Sequence, residues 1–322
     1  MIKNTSIATL FLISILVYPA GLIAQTCGCA GAPLLSSQSI SSAAQGNLLL
    51  GITYEYDNID DLYQGTNELD NRSVRRSTQS TLFEVHYGIT DRLTASGTFT
   101  FINKRRETGL QTPSSNVVRT EGFGDGLVML KYVLHKNTIR SQYQLAVGGG
   151  AKIPFGSFDH TNNGLQLNAD MQPGTGAWDG VFWSYLSKTF APHTTLNLFW
   201  TNSFRLTGEA DRFSNTNDSY RFGNEIVSTL GAGNKLVGNL SYVFQVQYRQ
   251  VGKNERNGSE LPNTGGKWID LVPALSYQLT DKVSMRVSGQ LPVYRDLVGT
   301  QSTTTYSLSG SIFYNFDGKT IF

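Results

Sequence analysis

What this chain lacks narrows the choice first. Beyond the N-terminus no apolar run approaches the roughly 18 residues that a spanning helix needs, which excludes a helical membrane protein. Charged residues make up only 16%, against roughly 25% in an ordinary soluble domain. The net charge is +2 and no basic stripe carries interleaved aromatics, so nothing points to nucleic acid. Proline is scarce. The two cysteines, Cys27 and Cys29, are one residue apart. None of the four histidines, at His86, His135, His160 and His193, stands in the H-x-S arrangement of barrel lipases, and no G-x-S-x-G occurs. The chain therefore reads as a non-enzyme, and no motif calls for a cofactor. Disorder is excluded by what is present, because Phe, Trp and Tyr make up 11%.

What is present is alternation. In residues 236–248, Leu236, Gly238, Leu240, Tyr242, Phe244, Val246 and Tyr248 share one face of an extended strand. Val237, Asn239, Ser241, Val243, Gln245 and Gln247 share the other, and Arg249 continues that second row. A period of two is the β-strand period. The run exceeds the roughly 5–6 residues of a soluble strand and is long enough to cross a tilted bilayer. The apolar row then meets lipid and the polar row a lumen.

The pattern recurs about twelve times and predicts an all-β, antiparallel up-and-down transmembrane barrel. Strand one is marked by Leu50, Ile52, Tyr54 and Tyr56 and strand two by Phe83, Val85 and Tyr87. The turn at 90–92 leads to strand three, with Phe99 and Phe101. Strands four and five carry Val128, Leu130 and Tyr132, then Tyr143, Leu145 and Val147. The sixth, about 176–189, is ambiguous, because Val181, Trp183 and Tyr185 compete with Phe182 and Leu186 for the apolar face. The seventh bears Leu198, Trp200 and Phe204; the eighth, 220–230, is weak; a turn at 231–235 opens the ninth. The tenth carries Leu275 and Tyr277, the eleventh Met285, Val287 and Val293, and the twelfth Leu308, Ile312, Tyr314 and Phe316.

Connections after odd strands read as long, apart from a short loop before the twelfth, and those after even strands as short, the asymmetry of long extracellular loops and short periplasmic turns. An even count places both chain ends in the periplasm. Aromatics sort by strand end. Tyr87, Tyr132, Tyr143, Tyr185, Tyr277, Tyr314 and Phe316 fall near the short turns. Tyr54, Tyr56, Phe99, Phe101, Phe204, Phe222, Tyr248 and Tyr306 fall near the long loops. Two such girdles are expected where amphipathic rings meet membrane interfaces.

Residues 1–24 read as a secretory signal: Lys3 supplies the positive start, 7–17 the apolar core, and Pro19, Ala20 and Gly21 the break. Residues 25–45 read as a periplasmic leader and 46–322 as the barrel. Cys27 and Cys29 could hold a soft metal, but the spacing is not C-x-x-C and two further ligands are missing. Lipidation and an intermolecular disulfide are the alternatives. Gly122-Phe-Gly-Asp-Gly126 is not a phosphate loop, since no strand precedes it and no helix follows; it reads as a strand entry.

The inward rows carry Glu55, Glu84, His86, Lys131, Lys152, Arg205, Glu225, Arg249, Asp270 and Arg286. Rings of charge tune pore selectivity, and both signs occur. The same residues could instead brace a filled interior, since buried charges are usually paired. Gly148 and Gly150, inward on strand five, leave space for a conduit or mark bends.

The segments YGITDRLTASGTF (87–99), GFGDGLVMLKYVL (122–134) and YQLTDKVSMRVSGQLPVY (277–294) resemble an outer-membrane transporter family associated with the meta-pathway of phenol degradation. The resemblance spans most of the chain after the leader. It implies a barrel that moves small, often aromatic, compounds. The expected partners are outer-membrane lipid, a small-molecule solute and the barrel-assembly machinery, reached through the C-terminal strand that ends at Phe316. The expected function is a channel or transporter for small solutes. The alternative is a closed barrel whose loops, such as 57–76 and 104–121, bind a partner or surface ligand.

Overall fold

The computed structural model describes residues 43–71, 74–111, 116–138, 141–190, 195–213 and 217–317. The expected export signal, Cys27, Cys29 and most of the expected leader lie outside the described residues.

Twelve long strands form the wall: β1 (Leu48–Ile59), β2 (Val74–Gly88), β3 (Leu93–Thr108), β4 (Gly126–His135), β5 (Tyr143–Ile153) and β6 (Asp179–Thr189), then β7 (Asn197–Thr207), β8 (Glu225–Val237), β9 (Leu240–Val251), β10 (Gly266–Gln278), β11 (Val283–Thr303) and β12 (Tyr306–Phe316). Each pairs antiparallel with the next, and β12 pairs with β1 from Leu48↔Phe316 to Asn58↔Tyr306. The sheet is thus closed. Closure matters because an open edge in hydrocarbon would leave amides and carbonyls with no partner.

The two faces of the wall invert the rule for soluble proteins. On β9, Phe244 is 46% exposed and Gln245 only 8%. Ile52, Phe83, Leu130, Phe182, Leu230, Leu275 and Ile312 likewise point outward. So large a contiguous apolar surface belongs in contact with lipid, and the polar residues belong inside. The fold is that of an outer-membrane β-barrel. Tyr87, Tyr132, Tyr143, Tyr277 and Tyr314 ring the short-turn end on the outer face. At the long-loop end, the outer rings of Phe99 and Phe101 are joined by Phe155 and Phe123, at centroid distances of 5.9 and 5.5 Å.

Two expected girdle members sit elsewhere. Tyr185 faces the lumen at 8% exposure, beside Trp183, because β6 turns Phe182 and Leu186 to lipid. Asp179, which shares the parity of Trp183 and Tyr185, shows why: the opposite facing would put that carboxylate in the bilayer. Phe222 lies before β8, buried in a loop cluster with Phe213 and Tyr220.

The turn expected at 231–235 is also misplaced. β8 runs through those residues, and the chain reverses at 238–239, where Gly238 takes φ +53°. Gly231 and Gly233 are strand residues. A Cβ at Gly231 would lie 2.3 Å from the Phe199 ring of β7, so this glycine makes room for an aromatic neighbour and does not make a turn. Of Gly231, Gly233 and Gly238, it is Gly238 that takes the positive φ that glycine favours.

The polar stretches are more ordered than their sequence suggests. Asp61–Gly65 and Asn67–Leu69 form a hairpin after β1, and its first strand pairs with the outer part of β11. Asn116–Phe123 pairs with the outer half of β3, so a strand does precede the Gly124–Gly126 entry into β4. β11 runs to Thr303, beyond its expected end near Val293. Only residues 304–305 separate it from β12, so this connection departs from the long-loop pattern. Four two-residue strands, Glu209–Ala210, Tyr220–Arg221, Glu255–Arg256 and Ser259–Glu260, make a small sheet of the β7–β8 and β9–β10 loops.

Candidate functional site

The inward side chains divide the lumen into two unlike halves. Along β4 to β7 it is filled. Leu127, Met129, Val133, Ala146, Val181, Trp183 and Tyr185 form one buried cluster with Phe199 against it. Trp183 and Tyr185 stack at 5.9 Å and 7°, and Tyr185 lies 6.4 Å from Phe199. The Lys131 ammonium sits 4.8 Å from the Trp183 ring centre. Gly148 and Gly150 belong to this packing and open no conduit. A Cβ at Gly150 would meet the Val128 carbonyl oxygen at 2.0 Å, and one at Gly148 would press on Lys131 and Trp183.

Above this cluster runs a ladder of alternating charge. Lys152 Nζ lies 2.7 Å from Asp125 and 3.2 Å from Asp179. Asp179 is 3.7 Å from Arg205, Arg205 is 2.9 Å from Glu225, and Arg249 Nε donates to Glu225 at 2.6 Å. The Arg249 guanidinium then covers Trp268 at 5.0 Å. The register produces this order, since Lys152↔Asp179, Arg205↔Glu225 and Arg249↔Trp268 are directly opposed across neighbouring strands. Opposed residues of opposite sign attract, and here they are dry. Four expected residues, Lys152, Arg205, Glu225 and Arg249, are therefore one connected system. Asp125 and Asp179 complete it and were not singled out from sequence. Parity along β6 was the signal that could have found Asp179.

The ladder also holds a loop. Asp125 accepts bonds from the backbone of Gly156 at 3.3 Å and of Thr175 at 3.1 Å, both in the β5–β6 connection 154–178. The same connection is pinned on its other side. Lys104 Nζ donates to the carbonyls of Asp170 and Gln172 at 2.9 Å, and Thr120 donates to that of Met171 at 2.6 Å. The Asp170 carboxylate is gripped by Arg76 and Arg106. Burial alone pushes this carboxyl up, but Arg76, Arg106 and Lys104 outweigh it and hold it below the usual carboxylate range. Met171, Gln172 and Thr175 are almost fully buried. The loop is thus tucked onto the mouth of the barrel. Arg76, Lys104, Arg106 and Asp170 were not legible as a set, because 66 residues separate Lys104 from Asp170.

The other half, formed by β9 to β12 with β1 and β2, is polar and holds a cavity of about 90 Å³. β12 contributes Ser307, Ser309 and Ser311 at successive inward positions, and Gln245 and Gln247 face them from β9. Ser288 and Ser309 are 2.7 Å apart, and Thr53 donates to Ser311 at 2.9 Å. Glu55, Glu84 and Arg286 line the same space. His86 lies nearby, with Nδ1 2.9 Å from Ser96 Oγ and Nε2 3.9 Å from Glu84. Asp270 accepts from Gln290 at 2.9 Å. The ten lumenal candidates therefore separate: Lys152, Arg205, Glu225 and Arg249 brace one wall, Lys131 caps the aromatic stack, and Glu55, Glu84, His86, Asp270 and Arg286 lie on or beside the polar half. A second cavity, of about 610 Å³, lies among the loops above.

No family model matches the chain, and no curated protein matches it in sequence. Solved structures do. The crystal structure of the COG4313 outer membrane channel from Pseudomonas putida F1 superposes with a TM-score of 0.70 at 12% identity, covering 87% of this chain and 98% of that one. A FadL homologue from Pseudomonas aeruginosa gives 0.43 at 13% identity, over 93% of this chain and 100% of that one. The P. putida toluene transporter TodX gives 0.41 at 9%, over 92% and 96%. The first likeness agrees with the strand pairing and the lipid-facing band: the chain has the fold of an outer-membrane β-barrel.

Proposed function

We propose that the protein is a passive outer-membrane channel that passes small solutes along the polar half of its lumen. The observation that carries this reading is the division of the interior. A barrel built only for anchoring gains nothing by filling one half with Trp183, Tyr185 and Met129 while lining the other with serines and glutamines around a cavity. The fold likeness to a protein described as an outer membrane channel supports it. The resemblance to the phenol meta-pathway transporters extends the solute range to aromatic and hydrophobic compounds. Export by residues 1–24 and delivery through β12 to the assembly machinery belong to the same reading. Glu55, Glu84 and Arg286 are the selectivity residues it assigns. Cys27 and Cys29 have no role in it.

The loop 154–178 acts as the cover of this pathway. Conductance in planar bilayers tests the channel, and solute flux into liposomes across small aromatics, sugars and metal ions tests its range. A second reading is favoured by the ordered loop sheet and its Phe213–Tyr220–Phe222 core: a closed barrel whose loops bind a partner. Silence in both assays would favour that reading.

A further inference from the structure

We infer that the 610 Å³ cavity among the extracellular loops is a binding site for an uncharged, hydroxyl-rich ring molecule, of which a mono- or disaccharide is the simplest form. Its size lies within the roughly 300–1,000 Å³ of small-molecule sites. Its walls come from the β5–β6, β7–β8 and β9–β10 loops, from Arg76 of β2 and from residues 300–302 of β11.

The chemistry of those walls selects the ligand. Every charged side chain in them faces an opposite charge within reach. Asp170 is held by Arg76 and Arg106, and Arg256 Nε donates to Asp218 at 3.0 Å. A charged ligand would lose its hydration and meet only charges already neutralised. What the walls offer instead is amides and hydroxyls: Gln166, Asn168, Asn263, Thr300 and Ser302, with Asn263 Oδ1 also accepting from the Thr300 N–H at 2.9 Å. The Asn168 side chain is exposed and makes no capping bond, although it precedes the short helical turn Ala169–Met171. A side-chain amide presents a donor and an acceptor in one plane, which suits hydroxyls that do both. Leu167, Leu261 and Pro262 supply apolar surface between these groups. A sugar ring has hydroxyl edges and C–H faces, and so answers both kinds of wall. A purely apolar ring would desolvate the amides and leave them unpaired.

The position gives the site a role, and here the inference rests on the channel reading. Asn168, Ala169 and Asp170 belong to the loop pinned over the mouth, so an occupant touches the cover from outside. The site would concentrate solute above the pathway.

The test is calorimetric titration of the folded protein in detergent with glucose, maltose and sucrose, and with benzoate and toluene as contrasts. Saturable binding of at least one sugar in the millimolar range is expected, with neither contrast binding. Asn168→Ala should weaken it by roughly tenfold, as expected for about 1.4 kcal/mol of lost hydrogen bonding, and Ser302→Trp, which fills the cavity, should abolish it. Band-shift of the unheated barrel on a gel verifies that each variant is folded. Failure of all three sugars, tighter binding of benzoate or toluene, or sugar binding undisturbed by Ser302→Trp in a folded barrel would overturn the assignment. Bilayer conductance separates the two claims. Sugar binding without current leaves the site standing and removes the channel; current without sugar binding does the reverse.

Discussion

The β4–β7 half of the lumen and the half formed by β9–β12, β1 and β2 obey the same strand period, yet one is packed like a soluble core and the other is not. In the first half, inward positions alternate Leu127, Met129, Lys131 and Val133 on β4, and the glycines of β5 admit these side chains. In the second, three successive inward positions of β12 are serines, too short to cross the lumen, and Phe313 follows them toward the short-turn end. Side-chain volume, and not polarity alone, decides where space remains. The charges differ in the same way. In the first half they neutralise one another strand by strand, so they are braces. In the second, Glu55, Glu84 and Arg286 face a cavity.

Four measurements would break or sharpen this contrast. The largest effect is expected for Lys152→Met, which leaves Asp125 and Asp179 buried together without their shared cation. A loss of about 3–5 kcal/mol is expected in urea unfolding from vesicles. A cost below about 1 kcal/mol would show that the ladder is ornamental. Next, Phe244→Arg should cost about 2–4 kcal/mol if that ring lies near the bilayer centre, while Gln245→Leu should cost much less. The reverse order would invert the two faces of β9. Third, Gly150→Ala drives a methyl against the Val128 carbonyl and Met129, for about 1–3 kcal/mol. Ser309→Ala, on the open half, should leave stability almost unchanged and alter conductance instead.

The smallest stability effect and the largest effect on current are expected from Asp170→Asn, which releases the grip of Arg76 and Arg106 on the cover. The wild type should mimic this variant on acidification. Because the folded carboxyl titrates below its usual value of 3.8, its contribution is complete above that value and is lost as pH falls through the lower folded one. Conductance rising only in that acid range, and no longer rising in Asp170→Asn, is the expected result. A pH-independent current in the wild type would remove the latch.

Much of this was legible in the residue order. Alternation at Tyr242, Phe244 and Val246 against Gln245 and Gln247 identified lipid and lumen faces, because a strand exposes its side chains in strict turn. It failed where glycine carried two meanings. Gly231 and Gly233 read as a turn, but Gly231 accommodates Phe199 from one neighbouring strand and Gly233 lies against Val243 of the other, and no local pattern reports a neighbour's side chain. On β6, aromatics on both parities concealed the facing until Asp179 and Lys152 were seen opposed.

By itself, the sequence determined a closed, lipid-facing antiparallel barrel and many, though not all, of the charges inside it, since a two-residue period and the cost of unpaired backbone in hydrocarbon leave few alternatives. Only the tertiary structure decided which of those charges pair, which half of the lumen is full, and that residues 154–178 fold over the mouth. Those outcomes depend on register between strands and on contacts such as Lys104 with Asp170, where distance along the chain carries no information about distance in space.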